Sequence, residues 1–141
     1  MKIIITGASG FIGTNLLQHL VNHKHEIKNI DINPPRNATH LPYWEQVDIT
    51  DRHALTQAFV KYDPDYIIHL AARTDLDGKS LDDYKSNTLG VYNTLKASES
   101  CTRLKKILIT SLYAYGIHAS TSVVLLSEES VFDIWQVPTR I

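Results

Sequence analysis

At 141 residues, with 43% hydrophobic side chains and a formal charge of −1, the chain has enough apolar material for one domain with a real core, and disorder is not its default state. The near-neutral balance, with Lys105-Lys106 as the only adjacent basic pair, argues against a polybasic surface for nucleic acid or anionic lipid. One cysteine, Cys101, rules out an internal disulfide and suits a reducing compartment.

No run approaches the roughly 20 apolar residues that a membrane-spanning helix needs. The opening Ile3-Ile4-Ile5 stops at Thr6-Gly7, short of the ~7–15-residue core of a secretory signal. Folding is therefore expected to start at Met1, and the cytoplasm is the expected location. Lys2 to Thr6 reads as a short buried strand of a parallel sheet. From Phe11 to His23 the spacing becomes helical, with Phe11, Ile12, Leu16, Leu20 and Val21 on one stripe. Ile27, Ile30 and Ile32 mark a second strand, which Asn33-Pro34-Pro35 ends, because proline cannot continue a central ladder.

Residues 33–42 read as a loop, and Tyr43 to Val47 as a weaker third strand. Thr50 or Asp51 can cap a helix running through Leu55 and Phe59 to Tyr62, and Asp63-Pro64-Asp65 breaks it. Tyr66 to Ala72 is a strong fourth strand, and Ser80-x-x-Asp83 resembles a capping box opening a long helix to about Ser100. Ile107 to Ser111 is a fifth strand. Beyond Gly116 the pattern weakens: Ser122 to Leu126 can form a strand, and Ser127 to Ile141 has no clear period. The alternation predicts a parallel sheet with helices on both faces and right-handed crossovers, one of them weak.

The first strand runs into Gly7-Ala8-Ser9-Gly10-Phe11-Ile12-Gly13, and a helix follows. Gly7 allows the tight turn, Gly10 lets a pyrophosphate approach the backbone, and Gly13 lets the helix pack on the sheet. The free N–H groups at the helix start would face the phosphates. A glycine-rich turn without a ligand is the plain alternative, but the strand–turn–helix context supports a dinucleotide site. Asp31 ends the second strand 18 residues after Gly13, where an acidic residue accepts hydrogen bonds from the adenosine ribose. A carboxylate there repels a 2′-phosphate, which favours NAD over NADP, although Arg36 is near enough to soften that preference. The expected fold is a Rossmann-type doubly wound α/β domain of about five strands in the order 3-2-1-4-5.

These motifs resemble the extended short-chain dehydrogenase/reductase superfamily, and within it the NAD-dependent epimerase/dehydratase family that acts on nucleotide-linked sugars. Four further segments carry the resemblance: Asp48-Ile49-Thr50-Asp51, His69-Leu70-Ala71-Ala72-Arg73, Asn87-x-x-Gly90-x-x-Asn93, and Thr110-Ser111-Leu112-Tyr113-Ala114-Tyr115-Gly116. The resemblance covers about four-fifths of the chain. It implies that the Phe11 and Ile12 amides meet the pyrophosphate, that Asp31 holds the ribose, and that Asp48 and Ile49 flank adenine. It also implies that Leu70, Ala71 and Ala72 line the nicotinamide half. Asn87 would sit near the cofactor or order the exit of the fourth strand. Ser111 would hydrogen-bond the sugar hydroxyl that is oxidised, the one catalytic residue expected here.

Set apart from the family, several of these residues have plain readings. Leu70 and Ala71 suit any buried strand, and His69 there is ordinarily a satisfied core histidine. Thr110 and Ser111 can simply end a strand, yet ligands of open α/β sheets bind at that edge. His19, His23 and His25 lack a further evident ligand for a metal, and histidine near a helix C-terminus suits the dipole. Cys101 has no histidine in a nucleophile motif. Tyr43-Trp44 reads as sealing the sheet edge or core.

The family's chemistry also needs a Tyr-x-x-x-Lys pair, the tyrosine as general base and the lysine lowering its pKa. No lysine follows Lys106 and no tyrosine follows Tyr115, and Glu128-Glu129 is the last stretch that matches. The expectation is therefore an NAD-binding domain at 1–116 with an atypical tail at 117–141, the substrate domain absent. In that picture the chain is a truncated or frameshifted remnant whose fifth strand is a bare sheet edge, marginal as a monomer; a cooperative melt above about 60 °C would count against it. The competing expectations are an idle dinucleotide-binding module that senses redox state or docks to a partner, and a half-site completed by a second polypeptide. NAD is the expected cofactor and a nucleotide-sugar the candidate substrate. The resemblance implies a homo-oligomer built partly on the long helix, and neither nucleic acid nor membrane is an expected partner.

Overall fold

The computed structural model describes residues 1–112 and 121–127, with side chains through residue 110. In chain order the elements are β1 (Lys2–Thr6), α1 (Phe11–Asn22), β2 (Glu26–Asp31), β3 (Trp44–Gln46), α2 (Arg52–Tyr62), β4 (Tyr66–His69), α3 (Lys85–Ser98), β5 (Lys106–Leu112) and β6 (Thr121–Ser127). The sheet order is β3-β2-β1-β4-β5-β6. The first five strands run parallel, in the expected order.

Alternation along the strands splits the core into two layers. Ile4, Ile30, Ile67 and Ile107 point to one face and pack with Leu55 and Phe59 of α2 and Ala97 of α3. Ile3, Ile5 and Ile27 point to the other face and meet Leu17 of α1. Strand β1 is apolar on both faces because it lies between β2 and β4, with a helix layer on each side.

Two crossovers differ from the simple alternation. Between β2 and β3 the link is a 3₁₀ turn, Ala38–Tyr43, capped by Asn37, whose side chain accepts from the Thr39 N–H. Between β4 and α3 a second 3₁₀ turn, Leu81–Tyr84, starts where the capping box was expected. There the Asp83 carboxylate accepts the main-chain N–H groups of Lys79 and Ser80, each at 2.9 Å. Helix α2 begins as the sequence predicts, with Asp51 Oδ1 accepting from the Ala54 N–H at 3.0 Å. Trp44 does seal an edge: its indole N–H donates to the Asp31 carbonyl at 3.0 Å, tying β3 to the end of β2.

The expectation of a bare edge at β5 is corrected. Strand β6 runs antiparallel along it, in register from Lys106↔Ser127 to Leu112↔Thr121. Ser122-Val123-Val124-Leu125-Leu126 has the β-branched character that such pairing favours, so β5's outer backbone groups find partners within this chain. Among the described residues no helix is long and apolar enough to cross a membrane. Nor does any group of three or more His, Cys, Asp and Glu side chains gather among them as a metal site; the His19 and His23 rings stack at 4.2 Å instead.

Candidate functional site

The C-terminal ends of β1, β2 and β4 open into one cleft of about 860 Å³. Such an edge, where strand order reverses beside β1, is where an open α/β sheet leaves room for a ligand. The glycine turn forms its floor. Gly7 has φ +76° and donates its N–H to the Ile30 carbonyl at 2.9 Å. A Cβ on Gly13 would stand 2.4 Å from Ala8 Cα, so α1 can pack this close only with glycine there. A Cβ on Gly10 would meet only the Gly7 carbonyl oxygen at 3.3 Å and otherwise project into open space.

No side chain caps α1, and no acidic residue lies in its first turn. The N–H groups of Phe11, Ile12 and Gly13 therefore have no acceptor within the helix and no side-chain cap, and the positive end of the dipole faces the cleft. The Phe11 side chain is 81% exposed and that of Ile12 67%, so both residues sit at the rim rather than in the core.

Asp31 lines the cleft. Its Oδ2 accepts from the Ser9 N–H and its Oδ1 from the Asn33 N–H, both at 3.0 Å, so the carboxylate has a fixed orientation with lone pairs to spare. Asp48 and Ile49 form the next wall. Asp48 Oδ1 accepts from the N–H and hydroxyl of Thr50, both at 2.8 Å, which folds the carboxylate onto its own turn. Helix α3 holds that turn from behind. Asn93 Nδ2 donates to the Ile49 and Thr50 carbonyls at 3.0 and 2.9 Å. A Cβ on Gly90 would collide with Ile49 Cδ1 at 2.4 Å. Two of the three residues in the long-helix signature thus shape the wall at residues 48–50 without entering the cleft.

Strand β4 ends at His69, three residues before the sequence-predicted limit, because its partner β1 ends at Thr6. Leu70, Ala71 and Ala72 leave the ladder and line the cleft. The Leu70 N–H donates to the Thr6 carbonyl at 3.0 Å. Asn87 is not a lining residue. Its Oδ1 accepts from the Arg73 N–H at 2.7 Å and its Nδ2 donates to the Arg73 carbonyl at 2.9 Å, so it orders the strand exit, the second of its two expected roles. The Arg73 guanidinium forks onto Asp75, with two contacts of 2.8 Å, and that pairing raises its pKa while lowering that of Asp75.

Sequence reasoning missed the lining residues Asn33, Thr74 and Ser86, and it gave Arg73 and Thr110, which also line the cleft, only as members of longer motifs. The Thr110 hydroxyl donates to the His69 carbonyl at 3.1 Å. Ser111 is a β5 residue whose backbone pairs with Ser122. Its side chain lies outside the described residues, as do Tyr113 to Gly116 and Glu128-Glu129.

His69 is buried behind the cleft, 1% exposed. Its Nδ1 lies 2.7 Å from Thr6 Oγ1 and 3.3 Å from Thr94 Oγ1, while Nε2 has no partner among the described residues. It is thus the core histidine the sequence suggested, satisfied at one nitrogen only. Burial pushes its pKa down from 6.5 to about 4. The folded chain keeps this ring neutral where the unfolded chain protonates it, so its contribution is complete above about pH 6.5 and is lost as pH falls toward 4. Urea titrations should show about 3 kcal/mol of stability disappearing across that window through this group, and His69→Leu should flatten the slope there.

The NAD dependent epimerase/dehydratase family profile matches residues 3–131. The dTDP-glucose 4,6-dehydratase of Neisseria meningitidis serogroup B is 32% identical over 117 residues, covering 70% of this chain and 32% of that protein. Among solved structures, the UDP-glucose 4-epimerase of Thermus thermophilus in complex with NAD is similar at a TM-score of 0.66 and 26% identity, over 76% of this chain and 36% of that one. The Bordetella bronchiseptica enzyme WbmG in complex with NAD and UDP is similar at a TM-score of 0.63 and 28% identity, over 76% of this chain and 36% of that one. The chain spans about a third of the length of these relatives.

Proposed function

Because this chain belongs to the NAD-dependent epimerase/dehydratase family, we propose that its cleft binds NAD and serves as the cofactor half of a nucleotide-sugar epimerase/dehydratase. The observation that carries the reading is the meeting, in one cleft, of an uncapped helix start, a glycine that leaves the approach open, and the Asp31 carboxylate. The Phe11, Ile12 and Gly13 amides would hold the diphosphate, and Gly7 and Gly10 would keep the backbone close to it. Asp31 would accept the ribose hydroxyls, and the Asp48-Ile49 turn would wall the adenine. Leu70 to Ala72 would line the nicotinamide end, with Asn87 positioning that segment through Arg73. Bound there, the cofactor supplies hydride chemistry at a sugar carbon.

Ser111 is the proposed hydroxyl contact to that sugar, a role supported by its place on β5 at the cleft-forming edge of the sheet. The one Tyr-x-x-x-Lys spacing in the sequence, Tyr92 to Lys96, lies on α3 outside the cleft lining, so binding is the function proposed for these residues alone, and the general base is assigned to no residue here. A second reading, a non-catalytic dinucleotide-binding module, rests on the same cleft. A nucleotide-sugar, a second copy of the chain and a complementing polypeptide are the partners consistent with the proposal. The binding unit is assigned to residues 1–116, to which β6 adds an edge strand. The cytoplasm is the compartment proposed, since the lone thiol suits reducing conditions.

Calorimetric titration of the chain with NAD tests the proposal. Saturable heat at one site is expected, with background turnover in an epimerase assay. No heat at millimolar NAD, with the chain shown to be folded, would overturn it.

A further inference from the structure

Beneath the glycine turn lies a polar side chain that neither the core nor the cleft accounts for. Asn29 sits in β2, two residues before Asp31 and therefore on the same face of the sheet. Its neighbour on that face toward the strand start, Ile27, belongs to the apolar layer against α1. Asn29 is fully buried, and its Oδ1 has no partner among the described residues. An apolar β-branched residue would avoid that uncompensated carbonyl. The amide group makes one hydrogen bond among the described residues: Nδ2 donates to Ser9 Oγ at 3.1 Å.

That contact closes a small circuit around Asp31. Ser9 Oγ, accepting a hydrogen bond from Asn29 Nδ2, donates its own hydroxyl hydrogen to the Asn33 carbonyl at 2.8 Å. The main-chain N–H groups of the two residues so linked, Ser9 and Asn33, then donate to the two oxygens of Asp31. Asn29 selects the direction of the serine hydroxyl. The serine joins the glycine turn to the end of β2, and the carboxylate is clamped between them.

Building on the NAD reading, we propose that Asn29 is a positioning residue for ribose recognition: through Ser9 it fixes the two donors that aim the Asp31 carboxylate at a ribose diol. Its role is distinct from stability, because the contact it makes costs the fold an unpaired buried oxygen. It is equally distinct from general cleft shape, because its only side-chain hydrogen bond among the described residues leads to the residue that bonds Asp31.

The test is calorimetric, on the full chain, with ADP and 2′-deoxyADP as probes. The unmodified chain should prefer ADP by about tenfold or more, the value of a hydrogen bond to a charged group. In Asn29→Val the preference should fall to about threefold or less, with no drop in melting temperature. Ser9→Ala keeps the N–H bond to Asp31 but removes the hydroxyl, and should give the same loss. The double variant should be no worse than the weaker single one, since both break one linkage. If Asn29→Val fails to fold, Ser9→Ala carries the test from the other side of the same bond. Equal weakening of both nucleotides, or an unchanged preference in variants of a chain that itself discriminates, overturns the positioning role and leaves the NAD reading standing. A folded chain that binds neither nucleotide overturns both.

Discussion

Gly7→Ala is expected to lower the melting temperature by about 10 °C and to abolish detectable NAD binding, the largest effect of any single substitution in the cleft. Two independent penalties coincide at this residue. Its φ of +76° lies in the left-handed region, which costs an L-residue with a Cβ about 1–2 kcal/mol. The new Cβ would also stand 2.6 Å from Ala71 N and 2.7 Å from Ala71 Cα, both main-chain atoms that no rotamer change can move aside. Overpacking of that kind adds about 1–3 kcal/mol. The strain falls on the junction between the glycine turn and the Leu70–Ala72 segment, so both ends of the cleft shift together. Thermal melts followed by circular dichroism read the stability term, and calorimetry reads the ligand term. Gly10→Ala is the control that separates them. Its Cβ meets little protein, so the melting temperature should move by less than about 2 °C while NAD affinity falls, because the methyl group would occupy the phosphate approach. A Gly10→Ala chain that binds NAD normally would remove the phosphate assignment.

Asp31→Ala is expected to weaken NAD binding about 100-fold and to narrow the preference for NAD over NADP. Hydrogen bonds from hydroxyls to a carboxylate contribute about 1.5–3 kcal/mol each, so losing a pair to one ribose diol exceeds the ~2.7 kcal/mol that corresponds to 100-fold. The change in cofactor preference has a separate cause: removing the negative charge removes its repulsion of a 2′-phosphate. The substitution also frees the Ser9 and Asn33 N–H groups that the carboxylate now accepts, so the local loop loosens as well. Titrations with NAD and NADP on both forms of the chain distinguish the contributions. Equal loss for both cofactors would mean that Asp31 acts only as a loop clamp, and the ribose assignment would fall.

The parts of the cleft readable from the chain are those encoded by local spacing. Gly7, Gly10 and Gly13 stand at fixed offsets between a β-branched run and a helical stripe, and Asp31 follows at the end of the next apolar run. Those offsets reflect backbone geometry over a few residues, so they survive without knowledge of the partners. The roles that the sequence left open depend on contacts distant in sequence. Asn87 looked like a cofactor contact or a strand-exit ligand, and the choice rested on Arg73, 14 residues away. The role of Asn93 lay in carbonyls 43 and 44 residues upstream. Arg73 was legible only as the last residue of the His69–Arg73 motif, because its own place in the cleft follows from the early end of β4.

Sequence periodicity was sufficient for a parallel sheet with alternating helices, and the order of the five strands came with the Rossmann-type glycine fingerprint, because right-handed crossovers alone admit other doubly wound orders. It was sufficient too for the phosphate turn, since glycine's permissive backbone is a property of one residue and not of its surroundings. It could not reveal β6 closing over β5, because strand pairing is settled by which unpaired backbone edge the folded sheet offers, and that edge exists only after the other strands have assembled. Nor could it reveal the Asn29–Ser9–Asp31 clamp. An asparagine in a strand carries no periodic signal, and its partner 20 residues away comes within hydrogen-bonding distance only once β2 has been laid alongside β1.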